Sequence, residues 1–380
     1  MTDRIRGLRL SHIVQPIAKP VSDAKVATGR QAPLAAVDLL VVEAVSTGGL
    51  SGLGFSYTLR TGGTALMALA RELAPGLLNE DPSRISWLWD RLAWRTNSLG
   101  EGGAAAQCIA AFDTALWDMK ARRAALPLAH LLGAHRTAVP VYNTSGQYLQ
   151  ATIPEMRDSA EAAIDRGIGG IKMKVGQPDS TEDMRRIEAL RQVTEGRAAL
   201  MIDANQQWSR SGAWAFCRGV DDLGLAFIEE PLAARDHAGH GQLAGRLATP
   251  VATGEMLTSV AEHHALIEAR GAGFLQADAP RIGGITPFLK VMAMADEARI
   301  GLAPHFVMEQ HIHLAAAYPG AVWVEHFDWL EPLFEERLEI AGGQMLVPAA
   351  PGLGLTLSGA ARRFTHETIT FGELPPAIAA

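Results

Sequence analysis

The chain has 380 residues, more than one average domain needs, and 48% of them are hydrophobic, enough to fill a large core. A formal net charge of −7, a pI near 6.0 and the lack of any long basic run argue against a nucleic-acid partner. Cys108 and Cys217 form no CxxC or Cys/His spacing, which argues against a disulfide scaffold and a thiolate metal site and fits a reducing compartment. Residues 1–10 alternate charged and apolar side chains, and the apolar stretch 34–45 is broken by Asp38 and Glu43. Neither a leader nor a membrane span is expected, so the chain reads as cytoplasmic.

In chain order, residues 36–45 (AVDLLVVEAV) and 52–57 (GLGFSY) predict two strands joined by a turn at Thr47-Gly48-Gly49. Helices are predicted over 64–78, 82–95 and 104–124, the second with Pro82 at its first position. In the third, Ile109, Phe112, Leu116 and Met119 recur at the spacing of a buried helix stripe. These make an α+β unit up to about residue 130. From there short apolar runs alternate with helical stretches: 139–143, 169–175, 199–205, 225–231, 250–255, 274–280, 301–305 and 321–326. Strand-helix alternation implies a parallel sheet, and eight units are the number that closes a barrel.

From the second run onward each strand ends in an ionisable residue: Lys172 and Lys174, Asp203, Glu229, Glu255, Asp278, His305 and Glu325. From Asp203 the intervals are 26, 26, 23, 27 and 20 residues, about one strand-helix unit each. A barrel carries all its strand C-terminal ends to one rim, so these residues converge there. Asp203, Glu229 and Glu255 come from three adjacent strands. Three crowded carboxylates need a cation, and hard oxygen donors suit Mg²⁺, with Mn²⁺ as a substitute. Taken singly, each acid also reads as a solvated or helix-capping carboxylate.

Lys172 and Lys174 share one strand face, while Met173 and Val175 suit packing against helices. A lysine crowded by another cation is expected to have a lowered pKa, which makes Lys174 the candidate general base and leaves Lys172 to hold a substrate carboxylate. His305 lies five strands on, and Asp278 on the preceding strand is placed to fix its tautomer. His311 and His313 read as structural. Glu325, with a raised pKa, would donate a hydrogen bond to the substrate carboxylate. A metal between two opposed bases suits removal of a proton next to a carboxylate.

On these motifs the chain resembles the enolase superfamily, in its mandelate racemase subgroup. The matching pieces are IKMKV, DANQQW, FIEEP, ATGEM, DAPRIGG, APHF and WVEHF in the barrel half, and GLGFSY, EDPSRI and AAFDTALWDMKA before it. Within the subgroup, YNTSG, GIGGIKMKVGQP, DAPRIGGITPFLK, APHFVMEQHIHLAAAYP and WVEHFDWLEPLFEE are similar to the L-talarate/galactarate dehydratases.

The resemblance implies a (β/α)8-type TIM barrel of the modified enolase kind with an N-terminal α+β capping domain. The cap spans residues 1–130 with mobile active-site loops, the barrel 131–345, and a segment 346–380 returns to the cap. It implies Mg²⁺ on Asp203, Glu229 and Glu255 with Asn205 beside it, Lys174 and the His305–Asp278 dyad as the acid/base pair, and Lys172 and Glu325 on the substrate carboxylate. It also implies a homo-oligomer, and two cap loops, roughly 15–33 and 54–63, closing over the barrel mouth. Lys25, Tyr57 and Arg60 on these loops are candidates for the distal carboxylate of a diacid sugar, Arg being the better bidentate partner.

The expected activity is dehydration of an acid sugar, a hexarate such as galactarate, to a 2-keto-3-deoxy acid. A racemase or epimerase of a 2-hydroxy acid fits the same residues. A metal- and acid-sugar-binding protein without turnover fits them less well, because both lysines and the His–Asp pair are retained.

Overall fold

The computed structural model describes residues 3–375. The first part of the chain is a four-stranded antiparallel sheet with helices on one face. Strand β1 (Ile5–Val21) pairs with β2 (Leu34–Ser46), and β2 pairs with β3 (Ser51–Leu59). The period-two pattern of β2 sends Leu40, Val42 and Ala44 into a core shared with the helices, and Val37, Leu39 and Val41 toward the barrel. Strand β3 behaves alike: Leu53, Phe55 and Tyr57 join the barrel core. Its two glycines face the helix Gly103–Arg123, where a Cβ on Gly52 would stand 2.1 Å from the Ala115 carbonyl oxygen and one on Gly54 2.2 Å from that of Ala111. Only glycine allows that approach, which accounts for the GLG motif.

Eight strands form the barrel: β4 (Ala138–Asn143), β5 (Gly170–Lys174), β6 (Ala199–Asp203), β7 (Ile228–Glu229), β8 (Val251–Thr253), β9 (Phe274–Leu275), β10 (Gly301–Leu302) and β11 (Val324–His326). Neighbours run parallel, and β11 pairs with β4. Leu302 and Val322 bridge in parallel, and the Leu302 carbonyl accepts from Trp323 N–H at 2.9 Å, closing the ring between β10 and β11. Tyr142, Met201, Phe227, Ala252 and Ala303 fill its interior. Helices follow each of β4 to β10, but after β11 comes an antiparallel hairpin, β12 (Ile340–Ala341) and β13 (Gln344–Leu346), which pairs with β4. Strand β14 (Thr365–Gly372) then lies along β1 on the outer side of the first sheet. No helix among the described residues is long and apolar enough to cross a membrane.

Several expectations change. Strand β1 was not anticipated, since Pro16 and Pro20 interrupt its pattern; it is stabilised by pairing on both sides. Because β1 runs to Val21 and β3 to Leu59, the two expected loops shrink to residues 22–33 and 60–62. The first holds a single turn, Ala24–Ala27, capped by the Asp23 carboxylate. The second cap helix starts at Ile85, not Pro82: Asp81 accepts from Ser83 N–H at 2.8 Å, and this turn stands ahead of the helix.

Glu309, buried on the helix Met308–Ala317, has a carboxyl oxygen without a hydrogen-bond partner. Burial pushes its pKa from an ordinary 4.5 up to about 8. The folded state therefore keeps a proton that the unfolded chain releases near 4.5, and stability falls as pH rises from there to about 8. Glu309→Gln is expected to leave Tm unchanged below that window and raise it above, as read by thermal unfolding across pH.

Candidate active site

All the ionisable strand-end residues lie on one rim of the barrel, because parallel strands end together. Lys172 is buried, with Nζ 2.6 Å from Glu229 Oε2, 2.7 Å from Glu325 Oε1 and 3.8 Å from Asp203 Oδ2. Lys174, nearer the rim, pairs with Asp203. Across the mouth, His305 Nδ1 stands 2.8 Å from Asp278 Oδ2 and Nε2 3.3 Å from Glu255 Oε2. Lys172, Lys174, Asn205, Glu255, His305 and Glu325 line a cavity of about 340 Å³, roofed by Lys25, Gln31 and Arg60 from the two cap loops.

Two protonation expectations, for Lys174 and Glu325, fail in part. Burial, the largest influence, and Lys172 lower the Lys174 pKa, but Asp203, Glu229 and Glu255 together outweigh them, so the ammonium is held above its ordinary value rather than below. Burial likewise raises Glu325, but Lys172, His305 and the Phe306 N–H at 2.8 Å pull its carboxyl below the ordinary range. Glu325 is thus an acceptor here, taking hydrogen bonds from Lys172 and from Thr144 Oγ1 at 2.7 Å, and not the donor expected.

Tyr57 is also placed differently. It is fully buried behind the dyad, not exposed to the cavity, and its hydroxyl donates to Asp278 Oδ2 at 2.5 Å. Arg60 does line the cavity, with Nε donating to the Ala32 carbonyl at 2.9 Å and Nη2 3.5 Å from Asp23 Oδ2, which ties the two cap loops together. Lys25 lines it from the first loop.

Glu255 lines the cavity, while Asp203 and Glu229 lie buried beside it, paired with Lys174 and Lys172. Among the described residues no group of three or more His, Cys, Asp or Glu is gathered closely enough to hold a metal ion as it stands. The donor chemistry nevertheless fits a hard divalent cation. Asn205 Oδ1, Glu229 Oε1 and Glu230 Oε1 are buried oxygens with no hydrogen-bond partner among the described residues, and such groups are costly unless something positive satisfies them. Burial, then Asp203, pushes the Glu229 carboxyl well above its ordinary range, the mark of a site short of positive charge.

The backbone at these positions is strained. Asn205, Gln206, Glu230 and Phe306 are non-glycine residues at φ 44°, 66°, 40° and 58°, each within three residues of a rim residue. Such geometry costs about 1–3 kcal/mol each and persists only where surroundings impose it. Gln206 N–H to the Glu230 carbonyl at 2.8 Å and Gln206 Nε2 to Glu230 Oε2 at 3.1 Å tie two of the turns together.

Sequence reading missed Glu230, Gln276, Arg281 and Arg186. Glu230 was visible as the second acid of FIEEP. Gln276 Nε2 donates to Glu229 Oε2 at 2.6 Å, and Arg281 Nη1 donates to the Glu255 carbonyl at 2.7 Å. Buried Arg186 donates to the carbonyls of Lys174 at 3.0 Å and Tyr148 at 2.8 Å, steadying the end of β5. The last two carried no signal beyond being charged.

Known proteins resemble this chain throughout. The model for the mandelate racemase / muconate lactonizing enzyme N-terminal domain matches residues 10–133, and the enolase C-terminal domain-like model matches 155–361. An L-talarate/galactarate dehydratase from Salmonella typhimurium is 51% identical over 373 residues, covering 98% of this chain and 94% of the relative. The crystal structure of an L-talarate dehydratase from Polaromonas sp. JS666, complexed with Mg and L-glucarate, is 55% identical, with a TM-score of 0.96 over 98% of this chain and 100% of that one. A 3,6-anhydro-alpha-L-galactonate cycloisomerase from Streptomyces coelicolor is 33% identical over 84% of this chain and 89% of its own length. With both halves matched and the rim residues drawn to one cavity, the chain belongs to the mandelate racemase / muconate lactonizing enzyme family of the enolase superfamily.

Proposed function

We propose that this protein is a Mg²⁺-dependent dehydratase of acid sugars, acting on hexarates of the galactarate and L-talarate kind. The observation that carries the reading is one cavity with Lys174 on one side, the His305–Asp278 pair on the other and a carboxylate floor between them. Asp203, Glu229 and Glu255 would hold the cation, with Asn205 beside them. When bound, it supplies positive charge next to the substrate carboxylate, whose negative charge grows as the α-proton leaves.

Lys172 faces that carboxylate end. Lys174 as its neutral amine, a form favoured when a cation on Asp203 replaces the ammonium as that carboxylate's partner, or His305 takes the α-proton, leaving an enediolate, and the β-hydroxyl departs as water with a proton from one of the two. The enol product tautomerises to a 2-keto-3-deoxy acid. Asp278 keeps His305 Nδ1 protonated and so leaves Nε2 as the exchanging nitrogen. The relatives' dehydratase activity and their Mg and L-glucarate complex support this reading. A homo-oligomer and a cytoplasmic location belong to the same proposal.

The test is a screen of mono- and diacid sugars with Mg²⁺, scored with a carbonyl reagent. Hexarates should give a keto acid, EDTA should abolish it, and Mg²⁺ should restore it. Exchange of the α-hydrogen without any keto product would overturn dehydration in favour of epimerisation, which two opposed bases also permit.

In this reading Lys25 and Arg60, which line the cavity from the cap loops, bind the distal carboxylate. Arg60→Ala or Lys25→Ala should raise KM for a diacid by roughly tenfold, about what one lost charge-assisted hydrogen bond costs, and for a monoacid much less. Equal effects on the two substrates would sink that assignment.

A further inference from the structure

We propose that Tyr57 is a positioning residue through which the cap holds the His305–Asp278 pair in its working geometry; this rests on the reading of Lys174 and His305 as opposed bases. Tyr57 Oη lies 2.5 Å from Asp278 Oδ2 and 3.2 Å from His305 Nδ1, while those two atoms are themselves 2.8 Å apart. The three groups close a triangle around one carboxylate oxygen, and two of them come from the barrel and one from the cap.

Contacts of the ring and of the neighbouring backbone hold that hydroxyl in place. The ring packs edge-on against Phe306, the residue after His305, with centroids 4.8 Å apart. Phe306 sits at a left-handed φ of 58°, so its place depends on such packing. Gln107 Nε2 donates to the Tyr57 carbonyl at 2.9 Å, and Gln310 Nε2, from the barrel, donates to the Phe55 carbonyl two residues earlier at 2.7 Å. The Asp278 carboxylate is also held from its other oxygen, which accepts from Arg281 N–H at 3.0 Å. Burial keeps the phenol a proton donor, its pKa standing well above the ordinary value.

The hydroxyl therefore presents a donor that Asp278 cannot turn away from, and Asp278 in turn orients the imidazole. Among the described residues, Lys174, on β5 across the cavity, has no such link to the cap strand. Loss of the Tyr57 hydroxyl should accordingly damage one face of the reaction and spare the other. A role limited to cap packing would damage both.

The experiment uses the full-length protein with Mg²⁺ and two hexarates epimeric at the carbon that loses its proton. Exchange of that hydrogen in D₂O is followed by NMR, and each face is assigned to a base by the epimer that Lys174→Met or His305→Asn silences. Tyr57→Phe should slow the His305-face exchange about 10- to 100-fold, the usual range for losing a group that orients a working imidazole, and leave the Lys174 face within about twofold of wild type. In a His305→Asn background, Tyr57→Phe should cost nothing further.

Asp278→Asn, which leaves the phenol in place, should reproduce the one-sided loss. An equal loss on both faces, or no loss on either, would overturn the proposal. Wild-type protein that exchanges neither epimer would overturn the two-base reading itself, a result distinguishable because it needs no variant.

Discussion

Lys174→Met is expected to lower kcat for keto-acid formation by roughly 10²- to 10⁴-fold, the range for removing a general base. Lys174 ends β5 with its ammonium against Asp203 and at the edge of the cavity. Methionine keeps the length of the side chain and removes the proton acceptor. Asp203 retains a hydrogen bond from Asn205 N–H at 2.8 Å and an ion pair with the Lys172 ammonium 3.8 Å away, so the site keeps compensating charge. Steady-state kinetics and α-hydrogen exchange check it together: the epimer served by His305 should still exchange. A variant with wild-type kcat would remove Lys174 from the chemistry.

The second large effect is on stability. Lys172→Met takes the nearest cation from two buried carboxylates, Glu229 at 2.6 Å and Glu325 at 2.7 Å. Breaking a buried pair from one side costs about 3–5 kcal/mol, because the remaining charge is left without compensation. The loss should show as a clear fall in Tm in EDTA. Glu325 gives its pH dependence a sign. Its carboxyl sits below the ordinary range in the wild type, so the stability it contributes is present above the ordinary carboxylate pKa and is lost as pH falls. The gap between wild type and Lys172→Met should therefore narrow on acidification. A constant gap would mean that the lysine acts through packing alone.

Pattern was enough for much of the barrel because one strand-helix unit recurs every 20 to 27 residues and parallel strands must end at one rim. A residue such as Asp203 or Glu229 is thus placed by local spacing. The same reasoning failed at β1, where two prolines break the alternation and pairing on both sides restores the strand. It also misplaced Tyr57, read as a loop residue facing substrate, because the loop is a strand and its period of two sends the ring inward.

The protonation readings for Lys174 and Glu325 failed for a related reason. Lys174 was judged from its strand neighbour Lys172 and Glu325 without any partner, whereas the dominant opposite charges arrive from other strands: Asp203 on β6 for the one, Lys172 on β5 for the other.

Residue order and hydrophobic period were therefore sufficient for the succession of barrel units, the parallel barrel and the set of ionisable groups at its mouth. They act through backbone geometry, which is local and repeats. Which atoms meet was left to the closed fold. The Tyr57–Asp278 hydrogen bond spans 221 residues, and Glu229 meets Lys172, 57 residues back, and Gln276, 47 ahead. Such contacts exist only once the barrel has closed and the cap sheet has packed on it. Burial then makes each charge depend on partners that no stretch of sequence holds together.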